Sequence, residues 1–381
     1  MIKVWDFDFN QVPGPVNPDY EDQDVIQRAF DFNMELMVSL ERRGFEGVFY
    51  SEHHFLNSLS PTPNLLIPAL AARTKTLKIG VMGNVLPFHQ PFRLAEELAM
   101  LDYLTNGRLE IGAASGVPPE FLFVNIPQEN VRPMFAEVLD ILEMARQDRY
   151  VTFKGKFFDM DRVPIMPRPR KETRRRHWLT IYSESSCRDA ARRDFKVCTG
   201  YQGVASAAKA FDGYRDEAAK LGRKVGADDI GVRRQVLIWD TDAEAERLGE
   251  ELKASSAARM QDTFKAVYER AAAAGVGPSE SVQKSGVIDA AAVTRDAKPG
   301  DGQKPPASGG GLVIDPEEYI TGSPKTVADK IIDQCRRLGA GNMMAYHAPT
   351  MTEEQIGHHY SLWEQVVPIL QKADVLNKQA A

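Results

Sequence analysis

Hydrophobic positions along the chain switch between a period of about two and a period near 3.6, the signatures of strands and of helices that each bury one face. Ile2 to Phe9 reads as a strand. From Asp24 to Arg43, Ile26, Phe30, Met34, Met37 and Leu40 recur at helical spacing, with Asp24 and Gln27 resembling a capped start and Gly44 a stop. Gly47 to Glu52 reads as a strand, Pro63 to Thr74 as a helix, Lys78 to Leu86 as a strand and Phe92 to Asn106 as a helix. Leu109 to Ser115 and Arg132 to Asp148 repeat the pair once more. In the second half Trp178 to Ser183, Lys196 to Tyr201, Val232 to Trp239 and Asn342 to His347 read as strands, with helices near 186–193, 206–221, 243–274 and 324–338. A last helix follows Thr352, which forms a capping box with Gln355 and carries the apolar face Ile356, Tyr360, Trp363, Val367 and Leu370.

Eight strand-then-helix alternations predict an α/β protein with a parallel sheet. The pattern alone leaves open whether the sheet closes into a barrel or stays open. No G-x-G-x-x-G follows the first strand, which counts against a dinucleotide-binding open sheet. The whole chain, 1–381, reads as one domain with an interruption at 276–311, rich in Gly, Ser, Lys, Asp and Pro. Such a composition buries too little apolar area to offset ordering entropy, so the segment is either a disordered insertion or a mobile lid.

Composition narrows the partners. A formal net charge of −6 over 381 residues argues against nucleic acid. The one basic run, Arg168, Arg170, Lys171, Arg174, Arg175 and Arg176, is either a solvated loop or a basic rim near an anionic ligand. Cys187, Cys198 and Cys335 lie far apart without a C-x-x-C, so neither a disulfide framework nor a zinc site is expected, and a cytoplasmic setting fits. No signal peptide or membrane span is expected: the start lacks an apolar h-region, and the best apolar run, Leu65 to Ala72, is short and holds Pro68.

In a parallel barrel the chemistry sits at the C-terminal strand ends. Strand two ends in Ser51-Glu52-His53-His54-Phe55. Neighbouring residues on a strand face opposite ways, so at most one of the two histidines faces the mouth, where an imidazole exchanges protons with a bound oxygen; the other packs or caps. Two histidines without a third ligand do not make a metal site, and none is expected. Gly83, in Met82-Gly83-Asn84, permits either close approach of a flat ligand or a bulge. Ser183, Ser185 and Ser186 stand where a helix begins and are either ordinary caps or a phosphate cradle. Phe7, Phe9, Phe55, Tyr201 and Trp239 line a substrate pocket or fill the core.

At these residues the chain resembles the bacterial luciferase family, the luciferase-like monooxygenases. The resemblance is carried by Glu52-His53-His54-Phe55 with Val85-Leu86-Pro87, and by Arg73-Thr74-Lys75-Thr76-Leu77-Lys78-Ile79-Gly80. It continues through Pro91-Phe92-Arg93-Leu94-Ala95-Glu96-Glu97, Gly107-Arg108-Leu109-Glu110-Ile111-Gly112 and Gly322-Ser323-Pro324. It implies a (β/α)8 TIM barrel binding reduced FMN, supplied by a separate flavin reductase, and oxygenating a small organic substrate through a C4a-peroxyflavin. It implies that His53 supports the peroxyflavin step. The flavin ring would rest on Met82, Gly83 and Asn84 over a non-proline cis peptide, and Ser183 and Ser186 would hold the phosphate. It favours the lid reading of 276–311, and a homodimer in contact through the second and third helices.

Two positions depart from the family. Where many relatives place a phosphate-binding arginine after strand four, this chain has Ser115; before the strand-five serine it has Tyr182 instead of an acid. Arg188 is a candidate to supply the missing charge. The departure leaves room for the deazaflavin F420 and a hydride-transfer reaction. A flavin-binding protein without turnover is the third alternative.

Overall fold

In the computed structural model, which describes residues 1–56, 58–121, 123–170, 177–181, 183–273 and 315–375, eight parallel strands close into a barrel. Around it run β1 (Lys3–Asp8), β2 (Gly47–Tyr50), β3 (Lys78–Val85) and β4 (Leu109–Ala114). An antiparallel hairpin, β5 (Tyr150–Lys154) and β6 (Asp159–Pro164), stands apart from the barrel. The circuit resumes with β7 (His177–Thr180), β8 (Lys196–Thr199) and β9 (Ile230–Ile238), skips β10 (Tyr319–Gly322), which pairs with the end of β9, and finishes with β11 (Asn342–Tyr346). β8 pairs with β9, and β11 with both β9 and β1, so the ring is closed. This settles the question the periodicity left open, in favour of the (β/α)8 barrel.

The lumen is filled, not hollow. Trp5 stacks on Phe49 at 5.0 Å between centroids, and Trp178 meets both edge-on at 6.3 and 5.8 Å. Phe7, Met82, Cys198, Met344 and Tyr346 complete this plug. Each indole N–H has an acceptor toward the N-terminal end: Trp5 Nε1 donates to Asn342 Oδ1 at 3.0 Å and Trp178 Nε1 to Glu110 Oε2 at 2.6 Å. Lys196 Nζ approaches the same Glu110 oxygen at 3.4 Å, and Lys78 Nζ sits 5.8 Å above the Trp5 ring. A polar floor thus underlies an aromatic layer, and the lumen is shut from below.

Helices cover the outside. α1 (Gln23–Arg42) begins at Asp22, whose carboxylate accepts from Asp24 N and Val25 N at 3.0 and 3.1 Å, so its cap lies two residues before the expected Asp24. Then come α2 (Leu66–Ala71), α3 (Pro91–Leu104), the one-turn α4 (Pro118–Phe121), α5 (Gln128–Gln147), α6 (Glu184–Arg192), α7 (Val204–Lys220), α8 (Asp242–Ala273), α9 (Pro324–Leu338) and α10 (Glu353–Lys372). α5 starts four residues before the expected Arg132, with Pro133 inside it. The Thr352–Gln355 capping box of α10 forms as expected.

Arg168 of the basic run donates to the Ala145 carbonyl at the end of α5 at 2.8 Å, and Arg170 lies over the Tyr103 ring at 5.2 Å. Lys171, Arg174, Arg175, Arg176 and the 276–311 segment fall outside the described residues. Among the described residues no helix is long and apolar enough to cross a membrane.

Packing in the plug is tight enough to test. A Cβ added at Gly47 would lie 2.4 Å from the Lys78 carbonyl oxygen and 2.6 Å from the Trp5 ring. Neither neighbour is the loose end of a flexible chain, so Gly47→Ala must displace backbone or indole. We expect it to lower unfolding free energy by about 2–3 kcal/mol, in the range of core overpacking, read from the midpoint of urea unfolding. An unchanged midpoint would contradict the tight contact.

Candidate active site

Strand two delivers the histidines, and the loop after it sorts them. Glu52 is buried and holds three groups: Val85 N donates to Oε2 at 3.0 Å, His54 Nε2 lies 3.0 Å from Oε1, and His89 Nε2 lies 3.1 Å from both oxygens. Burial pushes this carboxyl up, but the bonds from His54, His89 and Val85 outweigh it and hold it down at about 2. His89 is shifted upward: burial opposes its charge, and the Glu52 hydrogen bond and negative charge more than compensate. Glu52 is therefore a clamp tying the β2 loop to the end of β3, and His54 belongs to that clamp.

His53 faces the other way. Its Nδ1 lies 3.0 Å from Glu120 Oε1, and its ring stacks on Phe9 with centroids 6.1 Å apart and planes 17° from parallel. Glu120, on α4, is fully buried and also accepts from His54 N at 2.9 Å and from Val117 N at 3.3 Å. A carboxylate can only accept, so the neutral imidazole must carry its proton on Nδ1, and Nε2 is the atom presented to a ligand. Both histidines lie beyond the end of β2 and are similarly half-buried; they are told apart by the different carboxylates they meet, Glu120 for His53 and Glu52 for His54.

On the neighbouring strand stands the end of β3. The Met82–Gly83 peptide is cis, and the β3–β4 register shifts between Val81 and Asn84. A Cβ on Gly83 would lie 2.4 Å from the Ala113 carbonyl carbon, so no side chain fits between the strands there. The bulge reading of Gly83 is thus realised at the place where a flat ligand would rest. Met82 belongs to the plug. The Asn84 side chain points to the helical layer, its Nδ2 donating to Gly112 O at 3.0 Å and its Oδ1 accepting from Asn64 at 2.9 Å. Asn84 therefore has only backbone to offer a ligand in the mouth.

Ser115 is exposed one residue beyond β4. At the start of α6, Ser183 Oγ lies 3.0 Å from Ser185 Oγ and 3.1 Å from Ser186 Oγ, and it caps Ser186 N at 3.3 Å. Cap and cradle are compatible: three hydroxyls converge on a helix N-terminus whose N–H groups carry positive potential. Tyr182 lies outside the described residues. Arg188 is ion-paired with Glu184 one turn away on the exposed face of α6.

The aromatic candidates separate. Phe7 belongs to the plug, Phe9 bridges to His53, and Phe55, exposed and at φ 62°, packs against Phe123 at 4.9 Å. Trp239, one residue beyond β9, packs edge-on against His358 of α10. Two site residues escaped the sequence reading. Glu120 is 67 positions from its histidine on a four-residue helix, without periodicity or motif to flag it. Arg233 sits inside β9 with its guanidinium carbon 4.0 Å from the Tyr201 ring centroid, 4.8 Å from Phe7, 5.5 Å from Tyr346 and 5.8 Å from Phe9. Its only sequence signal was a charge in an apolar strand. Among the described residues no cluster of three or more His, Cys, Asp or Glu could hold a metal.

With this geometry in place, comparison with known proteins is informative. The sequence profile described as luciferase-like monooxygenase matches residues 12–342. The oxygenase component of the flavin-dependent trigonelline monooxygenase of Acinetobacter baylyi is 28% identical over 47% of this chain and 49% of its own. Relatives named as monooxygenases are matched over 34% to 67% of their length. Two solved structures share the fold over nearly the whole chain. The monooxygenase RslO1 from Streptomyces bottropensis has TM-score 0.74 and 20% identity, covering 96% of this chain and 98% of its own. The oxygenating constituent of 3,6-diketocamphane monooxygenase from Pseudomonas putida, in complex with FMN, has TM-score 0.66 and 20% identity, covering 98% and 97%.

The His53–Glu120 pair yields a direct test. Glu120→Ala strands the buried N–H groups of His54 and Val117 and frees the imidazole. We expect a loss of about 1–3 kcal/mol in stability and a shift of the His53 ring from the Nδ1–H toward the Nε2–H tautomer, read from side-chain nitrogen chemical shifts. A ring already in the Nε2–H form in the unmutated protein would refute the assignment.

Proposed function

Because this chain belongs to the luciferase-like monooxygenase family, we propose that it is the oxygenase of a two-component system. In this reading it takes reduced FMN from a separate flavin reductase and uses dioxygen to oxygenate a small organic substrate. The observation that carries the reading is the oriented His53, its Nε2 presented at the barrel mouth by a buried carboxylate. At the same, C-terminal end of the strands are the end of β3, where no side chain fits at Gly83, and the hydroxyl-rich N-terminus of α6.

The residues fit the cofactor. The Ser183 and Ser186 hydroxyls, with Ser185 and the first-turn N–H groups of α6, would hold the phosphate, and the Met82–Gly83 backbone would carry the ring. Ser115 would be a neutral neighbour to the phosphate. Bound reduced FMN supplies the electrons that activate dioxygen. The chain's own work is then threefold. His53 Nε2 accepts or returns a proton at the reacting oxygen, and Glu120 keeps it facing there. Phe9 stiffens the imidazole by stacking, and the aromatic plug keeps bulk water from entering through the barrel floor.

We further propose a homodimer. Large apolar side chains are exposed along and beside α2 and α3, at Leu65, Phe92, Met100 and Leu104, and pairing would cover them. A cytoplasmic setting suits a reductase-fed enzyme whose three cysteines are free and buried.

Anaerobic titration with photoreduced FMN, followed by mixing with oxygenated buffer in a stopped-flow spectrometer, tests the reading. We expect tight binding of reduced FMN and reoxidation slowed into a distinct second phase. In His53→Ala that phase should collapse by about 10-fold or more, in line with loss of a positioned acid–base group, with hydrogen peroxide released. Binding of F420 without binding of reduced FMN would move the protein to hydride transfer, and flavin binding without altered reoxidation would make it a carrier. The phosphate assignment has its own measure: the Ser183→Ala, Ser186→Ala double variant should lose the preference for FMN over riboflavin. An unchanged preference would place the phosphate elsewhere.

A further inference from the structure

Arg233 has no place in the reading above. It rises from the lumen wall: Gly231, two residues earlier on the same face of β9, lies where an added Cβ would meet Met344 Cε at 2.9 Å and Trp178 Cζ3 at 3.2 Å. Trp5, Phe49, Trp178 and Met344 seal the lumen beneath it. The guanidinium is directed upward, because the rings it meets include Phe9, Tyr201 and Tyr346, all at C-terminal strand ends. The guanidinium is 7% exposed and stands within electrostatic reach of the buried Glu318 carboxylate, so a charged side chain occupies a place where the plug could have continued with another hydrophobe.

The surroundings are shaped to this side chain. A Cβ on Gly200 would lie 2.7 Å from Arg233 Nε, so that glycine leaves the room the guanidinium occupies. Tyr201, which follows, is held at φ 57°, a conformation bulky residues rarely adopt, and its N–H donates to Glu318 Oε2 at 2.8 Å. That conformation lays its ring 4.0 Å from the guanidinium carbon. Glu318 is in turn ion-paired with the fully buried Arg234 at 3.0 Å. A stacked guanidinium turns its N–H edge away from the ring face, which orients the planar fork that matches a carboxylate.

Position separates this group from the expected flavin site. Around the ring, β9 and β3 are four steps apart in an eight-stranded barrel and so face each other across the mouth. His53 stands between them: its ring stacks on Phe9 at 6.1 Å, and Phe9 lies 5.8 Å from the Arg233 guanidinium carbon.

We propose that Arg233 is the substrate-recognition residue of this barrel and that the substrate is an organic carboxylic acid. Its carboxylate meets the guanidinium, and its apolar body lies toward Phe9 and His53. The proposal rests on the monooxygenase reading for what happens to the acid, but the binding it asserts is independent of turnover. Equilibrium binding therefore tests it, on the full chain without oxygen or reductant, alone and with FMN added. The probes are benzoate, phenylacetate and cyclohexanecarboxylate, each against its primary amide, followed by tryptophan fluorescence and thermal shift.

We expect acids to bind about 10-fold or more tighter than amides in the unmutated protein, as a charge-assisted bidentate contact gives. Arg233→Met should bring that ratio close to one while FMN affinity stays within about twofold, and Arg233→Lys should keep part of the preference, since it retains charge without the fork. No acid preference for any pair in the unmutated protein overturns the proposal, whatever the variants do. Loss of FMN binding in Arg233→Met with the acid preference intact also overturns it, and assigns the guanidinium to the flavin instead. Acid preference without flavin-dependent oxygen chemistry would leave the anion site standing and remove the monooxygenase reading.

Discussion

The two buried indoles that meet edge to face in the barrel axis determine where everything else can be. Trp5 and Trp178 fill the lumen at one level, and their N–H groups are drawn down to Asn342 and Glu110. Each aromatic side chain of this kind buries about 150–250 Å², and with Phe49 between them no passage remains. A ligand can then approach only from the C-terminal ends of the strands. The plug also sets a level surface on which long side chains can rest, and Phe7, Arg233 and Met82 do so.

Above that surface the strand ends carry three kinds of restraint. Glu52 uses a carboxylate held at about 2 to gather His54, His89 and the β3 backbone. Glu120 uses another to fix His53. Glu318, raised to about 7 by burial against the pull of Arg233 and Arg234, anchors Tyr201 beside the lumen. In each case a buried acid acts through its neighbour and lies outside the mouth itself. This is what preorganisation demands: the group that meets the ligand is held by packing and charge that do not depend on the ligand being present.

The barrel was legible because its signal is repeated. Eight apolar strands with helices between them survive small errors in any one boundary, such as the early caps of α1 and α5. The β5–β6 hairpin went unread because its inward face is short: Val151 and Phe153 alternate on β5 and Met160 and Val163 join them from β6, too few positions in mostly exposed strands to stand out as a period. The candidate site divides along the same line. His53, Gly83 and the α6 serines stand at strand ends, where the fold itself points. Glu120 and Arg233 owe their places to closure of the barrel, which brings residues 67 positions apart into contact in one case. In the other, Arg233 on β9 meets Phe7 and Phe9 of the β1 end, more than 220 positions earlier, only because the circuit closes through β11. No local pattern encodes that adjacency.

The departures from the family's charge pattern gain a physical meaning from this arrangement. With Ser115 neutral and Arg188 paired to Glu184 on the exposed face of α6, an anion held at the α6 end, as proposed, would meet mainly hydroxyls and helix N–H groups. Arg233 is held deeper, on β9, two strands around the ring from β7 and across from β3. A hydroxyl cradle holds a phosphate by many weak contacts and admits exchange, which suits a cofactor that arrives from a reductase and leaves after each turnover. A caged guanidinium holds one small anion by one strong, oriented contact, which suits a molecule that must be placed against a reacting atom. On the proposed reading the two sites would take different anions, and His53, on the loop after β2, would act where the two ligands meet.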